Sequence, residues 1–220
     1  MNFNLTSNQS TGINVTFEIK KMRSTTIFFL LITYFSFSQQ TYVDSLTNIR
    51  TQHEIELLQS KNTPLNEVEI QQIQQLSYFS IDVNNIVAAK FKKKIGKPFD
   101  LPTSSGKTKL YRKFGEVTCI WNGNFLKLNV YQDLTLIQHP TYANYLIIPF
   151  KDGTSGNETY GGGRYLDMRI PASKKIKIDF NTAYNPYCAF SYRFNCPIPP
   201  IENHLNFPIE AGEKTPLFNH

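Results

Sequence analysis

The sequence is short of most residues that would name a chemistry outright. In 220 residues it holds one Trp, three Met, three Cys and four His. No CxxC pair occurs and no two His lie close together, so the ligand spacing of a structural zinc site is missing and no metal is expected. No glycine-rich stretch ends in the Lys-Ser/Thr of a phosphate-binding loop. No apolar run reaches the roughly 20 residues that a membrane span needs. Despite a net charge of +6, the only basic block is Lys92-Lys93-Lys94, directly after an apparent strand. Lysines there read as a solvated strand edge, so nucleic acid is not an expected partner. The chain also has neither an internal repeat nor a linker that would separate one domain from another.

What is abundant is aromatic. Seventeen Phe and twelve Tyr favour strands over a helical bundle, and a hydrophobic share of 40% suffices for a packed core. The N-terminal region has the order of a secretory address. Lys20, Lys21 and Arg23 precede the apolar run from Ile27 to Phe35, and Ser36 and Ser38 flank Phe37 as a small-x-small site. Met22 is a conventional start for such a peptide. Residues 22–38 are therefore expected to be a signal peptide and residues 1–21 an upstream overcall. Cleavage would remove three basic residues and one acidic one, leaving +4 and no transmembrane segment. The mature chain is expected to be exported, periplasmic or extracellular.

Residues 41–80 read as a helical segment. Val43, Leu46, Ile49, His53 and Leu57 recur at helical spacing, and His53 reads as a half-buried surface histidine. Thr63 and Pro64 suit the cap and first position of a second helix ending near Leu76. From residue 81 to 215 the pattern changes to strands, expected at 86–91, 107–114, 117–121, 124–131, 145–150, 164–170 and 175–180. Asn122-Gly123 tolerates positive φ at both central positions of a tight hairpin. Cys119 shares a face with Val117 and Trp121 and reads as core. The fold class is α+β, mostly β, with N-terminal helices packed on an antiparallel sandwich or barrel-like sheet in one domain, 41–215.

Pro149 to Asn203 is the stretch where polar side chains, glycines and two cysteines crowd together. Gly153–Gly156 and Gly161–Arg164 suit either tight turns or an anion nest. Glu158, Asp167 and Asp179 are the catalytic candidates, since paired carboxylates can divide acid and base roles. The ligand-binding candidates are Asp152, Ser155, Glu158, Tyr160, Arg164, Tyr165, Asn181, Tyr184, Asn185, Glu202 and Asn203. Cys188 and Cys196 are a candidate disulfide, with a reduced pair as the alternative. The leading expectation is a pocket for a small polar or anionic ligand. A hydrolase using carboxylates and Tyr of the same stretch, or a structural envelope protein, are the alternatives. The residues specify neither a cofactor nor an oligomeric state.

The segments ETYGGGRYLD (158–167), DFNTAYNPYCAF (179–190), CPIPPIEN (196–203) and AGEK (211–214) resemble a bacterial and archaeal family, domain of unknown function 1684. Thr63-Pro64-Leu65, Tyr78-Phe79 and Thr103–Gly106 fit as well, so the likeness spans about residues 43–215. His204 stands where the family usually carries a basic residue. The resemblance implies a single domain and no reaction.

Overall fold

The computed structural model describes residues 39–218, so the expected signal peptide lies outside the described residues. The described residues fall into two units, divided between Asn48 and Ile49. Within the first, residues 39–48 are described and are helical. The second begins with a helix over residues 49–58 (α1) and continues with a short helix, Glu67–Gln72 (α2). Among the described residues nine strands follow: β1 Ile73–Gln75, β2 Ile86–Lys93, β3 Pro98–Pro102, β4 Thr108–Trp121, β5 Asn124–Asp133, β6 Tyr145–Phe150, β7 Arg164–Arg169, β8 Lys175–Asp179 and β9 Leu217–Phe218. The mostly β class with helices near the N-terminus stands, and the main sheet is antiparallel and curled into a half-barrel.

Its order is β7-β6-β5-β4-β2-β8, with β3 beside the opening residues of β4. Asn122 and Gly123 have φ of 46° and 76°, so the β4–β5 hairpin turns where both residues tolerate the left-handed region. That fixes the register from Trp121↔Asn124 back to Val117↔Leu128, and it points Leu126, Leu128 and Val130 into the core. Cys119 is buried beside them.

Several expectations need correction. The strands read as 107–114 and 117–121 are one strand, because the register shift between Lys113 and Gly115 absorbs the apparent break as a bulge. A Cβ at Gly115 would lie 2.7 Å from the Phe91 ring, so glycine is what admits the close approach. β3 lay hidden between two prolines, which its pairing with β4 alone permits. The second helix is capped by Asn66, not Thr63, with Asn66 and Glu69 forming a reciprocal capping box, and it ends at Gln72 rather than near Leu76 because residues 73–75 enter β1. Thr63 instead closes the preceding turn, donating to the Leu57 carbonyl at 2.6 Å. Ile49 is 60% exposed, while Arg50 reaches the Phe79 and Asn181 carbonyls. Lys92 and Lys93 lie on an interior strand, but β8 pairs only with Ile86–Lys90, leaving the lysine end of β2 bonded to β4 alone.

Alternation of side chains along the main-sheet strands places an apolar cluster on each face, and a third cluster among the described residues gathers around the N-terminal segment. The largest lies on one sheet face, where Val117, Leu126, Leu128, Leu146 and Ile148 pack with Phe180, Ile209 and Ala211. On the opposite face Tyr131, Ile147 and Tyr165 pack with Leu101 of β3. The third joins Leu57, Leu65, Ile73 and Leu76 to Ala189 and Phe190.

Glu69 ties this last cluster to the 190s segment. Its carboxylate accepts from Arg193 Nε at 2.7 Å and Nη2 at 2.6 Å, and also from Ser191 Oγ. The Arg193 guanidinium, outweighing the cost of burial, pushes the Glu69 carboxyl down to about 2 from 4.5. A depressed carboxyl pKa stabilises the fold above the unfolded value, and that contribution is lost as pH falls through the folded one. Glu69→Gln is therefore expected to be less stable than the unaltered chain at pH 7. In urea denaturation at a series of pH values, the gap should close as pH falls from 4.5 towards about 2.

Candidate functional site

The structure distributes the polar residues of the 149–203 stretch among several neighbourhoods. Arg164 opens β7 with its side chain wholly buried. Its Nη2 donates to Asp152 Oδ2 at 2.8 Å and to the Ile209 carbonyl at 2.9 Å. Its Nη1 donates to the carbonyls of Ala211 and Glu213. Burial pushes the guanidinium pKa down, and the Asp152 carboxylate opposes that shift. Asp152 Oδ1 in turn accepts from the Thr154 N–H and hydroxyl and from Ile209 N–H, while Ser155 Oγ accepts from Asp152 N–H. These two ions therefore hold the 209–213 segment against the sheet.

Asn203 is a second fastening. β5 and β6 share only the Tyr131↔Ile147 register pair, and Pro149 has no N–H to extend a ladder. The Asn203 amide fills that place. Its Oδ1 accepts from Asn129 N–H at 2.7 Å, and its Nδ2 donates to the carbonyls of Asn129 at 2.9 Å and Pro149 at 2.7 Å.

Asn181 is buried and bonds Asp82 N–H, the Asp82 carbonyl and Asp179 Oδ1. Asp179 itself caps the short 3-10 turn Phe180–Thr182. Asn185 donates from its backbone to Glu213 Oε2 and from Nδ2 to the Lys214 carbonyl at 2.7 Å. Tyr165 donates to the Pro197 carbonyl, and Tyr160 to the Cys188 carbonyl at 3.1 Å. Cys188 and Cys196 are joined as a disulfide, with Cα atoms 6.2 Å apart, and the Cys188 sulfur lies 3.0 Å from Ser104 Oγ.

The catalytic candidates lie apart in role. Asp167 is exposed and accepts the hydroxyls of Tyr145 at 2.6 Å and Tyr184 at 2.7 Å. Burial, reinforced by Asp167, pushes both phenols up, so they stay protonated donors. Glu158 is exposed, and its carbonyl accepts from Thr215 N–H. Among the described residues, no group of three or more His, Cys, Asp or Glu is arranged to hold a metal ion.

Glu202, unlike its neighbour Asn203, is exposed, and it lines a cleft of about 520 Å³. The other walls include Lys94, Lys113, Glu116, Lys127, Phe99 and Tyr131. Three ammonium groups crowd one carboxylate there. Glu116 lies within ion-pair distance of Lys113, with Lys94 at 3.4 Å and Lys127 at 3.7 Å. Lys113, ahead of the cost of burial, pushes the Glu116 carboxyl down to about 2. Lys94 and Lys127 keep 62% and 53% of their side-chain surface exposed. Phe99 packs edge-on to Tyr131 at 6.0 Å.

Sequence reasoning passed over this cleft, apart from Glu202. One signal was present: the Asn-Gly turn fixes Glu116↔Asn129 and Thr118↔Lys127, which sets Lys127 diagonal to Glu116. The contributions of Lys94 and Phe99 depend on how β2 and β3 flank β4.

The chain belongs to the family described as Protein of unknown function (DUF1684), whose profile matches residues 71–214. It is also similar to an uncharacterized protein of Haloarcula marismortui with a solution NMR structure. The two share 26% identity and a TM-score of 0.60, over 81% of this chain and 96% of that one. The search of curated proteins gives no match.

If Asn203 replaces a missing piece of ladder, Asn203→Ala leaves the Asn129 N–H and two carbonyls buried without partners. A loss of about 3 kcal/mol or more is expected in chemical denaturation. Asn203→Asp should be no milder, because a carboxylate cannot donate to the Asn129 and Pro149 carbonyls.

Proposed function

We propose that the protein is an exported, periplasmic or extracellular binding protein that holds a small anionic molecule in the Lys94–Lys113–Lys127 cleft. The observation carrying this reading is the charge imbalance, with three ammonium groups around the single carboxylate of Glu116. Glu202 adds a second negative charge to the wall, so the cleft keeps one net positive charge before any ligand enters. A volume of about 520 Å³ falls in the range of small-molecule sites. Phe99 and Tyr131 supply an apolar wall, and the low-dielectric surface of such a wall strengthens attraction between a bound anion and nearby cations.

Export is supported by the order of charge, apolar run and small residues at 22–38, and by the pairing of Cys188 with Cys196, since disulfides persist in oxidising compartments. The Arg164 and Asn203 networks serve this reading indirectly. Asn203 fastens Asn129 to Pro149 and so holds the Glu202 turn beside β5.

Lys94→Glu and Lys127→Glu alter exposed side chains and are expected to leave the fold intact. Isothermal titration with inorganic phosphate, succinate and glucuronate should give saturable binding for at least one anion. That binding should weaken about tenfold or more in the double variant and in raised salt. Native mass spectrometry of the purified chain provides the independent check. An apo mass together with no saturable heat from any of the three anions would sink the proposal.

A further inference from the structure

A buried carboxylate away from the cleft has a histidine as its ion-pair partner. Glu213 has a side chain only 1% exposed, and His53 of α1 is its salt-bridge partner among the described residues, with His53 Nε2 3.4 Å from Oε1. The other carboxylate oxygen accepts from Asn185 N–H. The buried Arg164 guanidinium also acts on this carboxylate through space, while its terminal nitrogens donate to Asp152 and to backbone carbonyls, including that of Glu213 itself. Tyr78 faces the same carboxylate, and the Arg50 guanidinium sits 4.5 Å from the centre of the Tyr78 ring. His53 Nε2, Tyr78 Oη, Asn185 Oδ1 and Glu213 Oε1 are all buried atoms without a hydrogen-bond partner of good geometry. Protonation of His53 adds a positive charge directly beside this buried carboxylate, so the state of His53 matters to this corner of the fold.

We infer that His53 and Glu213 form a proton-linked latch, closed when His53 is protonated, that fastens α1 to the 211–214 segment. Its two halves belong to different layers of the same compact unit. His53 rides on α1, whereas Glu213 follows the Ala211 and Glu213 carbonyls that Arg164 holds to the sheet. The His53 side chain is 36% exposed, which gives solvent protons access to the pair.

The carboxylates facing His53 agree on the sign. The Glu213 carboxylate beside the ring raises its pKa above 6.5, burial opposes this, and the charges of Glu56 and Glu54 add to the rise. A histidine whose folded pKa is raised contributes stability that is fully present below the unfolded value. That contribution is lost as pH climbs through the folded value. The latch therefore holds in mildly acidic solution and loosens towards alkaline pH. Loosening should be local, because the Glu69–Arg193 pair and the sheet core do not depend on it.

The test follows His53 by NMR titration of its ring protons in the full chain, with hydrogen exchange measured at several pH values after correction for intrinsic rates. His53 should titrate above 6.5. Protection of amides in 49–58 should fall about threefold or more between mildly acidic and mildly alkaline pH, while β5 amides hold theirs. His53→Gln should abolish the pH dependence in 49–58, and Glu213→Gln should lower the His53 midpoint. If Glu213→Gln does not fold, the His53 titration and His53→Gln still decide the matter. A His53 midpoint at or below 6.5, or the same pH dependence of 49–58 protection in His53→Gln, overturns the latch.

Discussion

The buried pair of Arg164 and Asp152 is the constraint on which most of the second compact unit depends. A guanidinium taken wholly out of water needs acceptors, and here its two terminal nitrogens find one carboxylate and three carbonyls. Those carbonyls belong to residues 209, 211 and 213, alternate positions of one segment. Arg164 thus does for that segment what a neighbouring strand would do, and the segment delivers Ile209 and Ala211 to the largest core cluster. Gly212, between two of the three residues whose carbonyls accept, has φ of 79°, which lets the chain pass close to Ala183.

The same economy recurs with side-chain amides. Asn203 completes the seam between β5 and β6 beyond the reach of their short register, and Asn181 holds the turn around Asp82 against β8. A curled sheet with a proline at its seam cannot close all its backbone hydrogen bonds by strand pairing. Fixed amides close them at little entropic cost once the surrounding core has set their rotamers. One consequence is spatial. The residues that hold the seam bring Glu202 to the outer side of the sheet, where β2, β3, β4 and β5 bring together the lysines and Phe99.

Particular residues show how far the sequence could be read. The hairpin at Asn122-Gly123, the inward face of β5 and the burial of Cys119 are local properties of φ and alternation, and they were legible. The length of β4 was not, because Gly115 looks like a break until the Phe91 ring beside it shows why no Cβ can stand there. β3 was concealed by the prolines at its ends. The crowding of polar side chains between 149 and 203 was visible, but their division into buried fastenings and an exposed Glu202 was not. Adjacent residues in a turn, such as Glu202 and Asn203, can face opposite environments, and composition carries no information about which does.

By itself the sequence determined the antiparallel, mostly β class with helices before it, the hairpin register, and the family likeness carried by its long motifs. These depend on local backbone preference and short-range alternation, both written along the chain. Only the tertiary structure decided that Arg164 would serve three carbonyls, that Asn203 would mend a seam opposite Pro149, and that His53 would meet Glu213 across 160 positions. It also decided that lysines from separate segments would surround Glu116. Such partners are set by how a curled sheet brings distant segments together, and no spacing within a single segment encodes that distance.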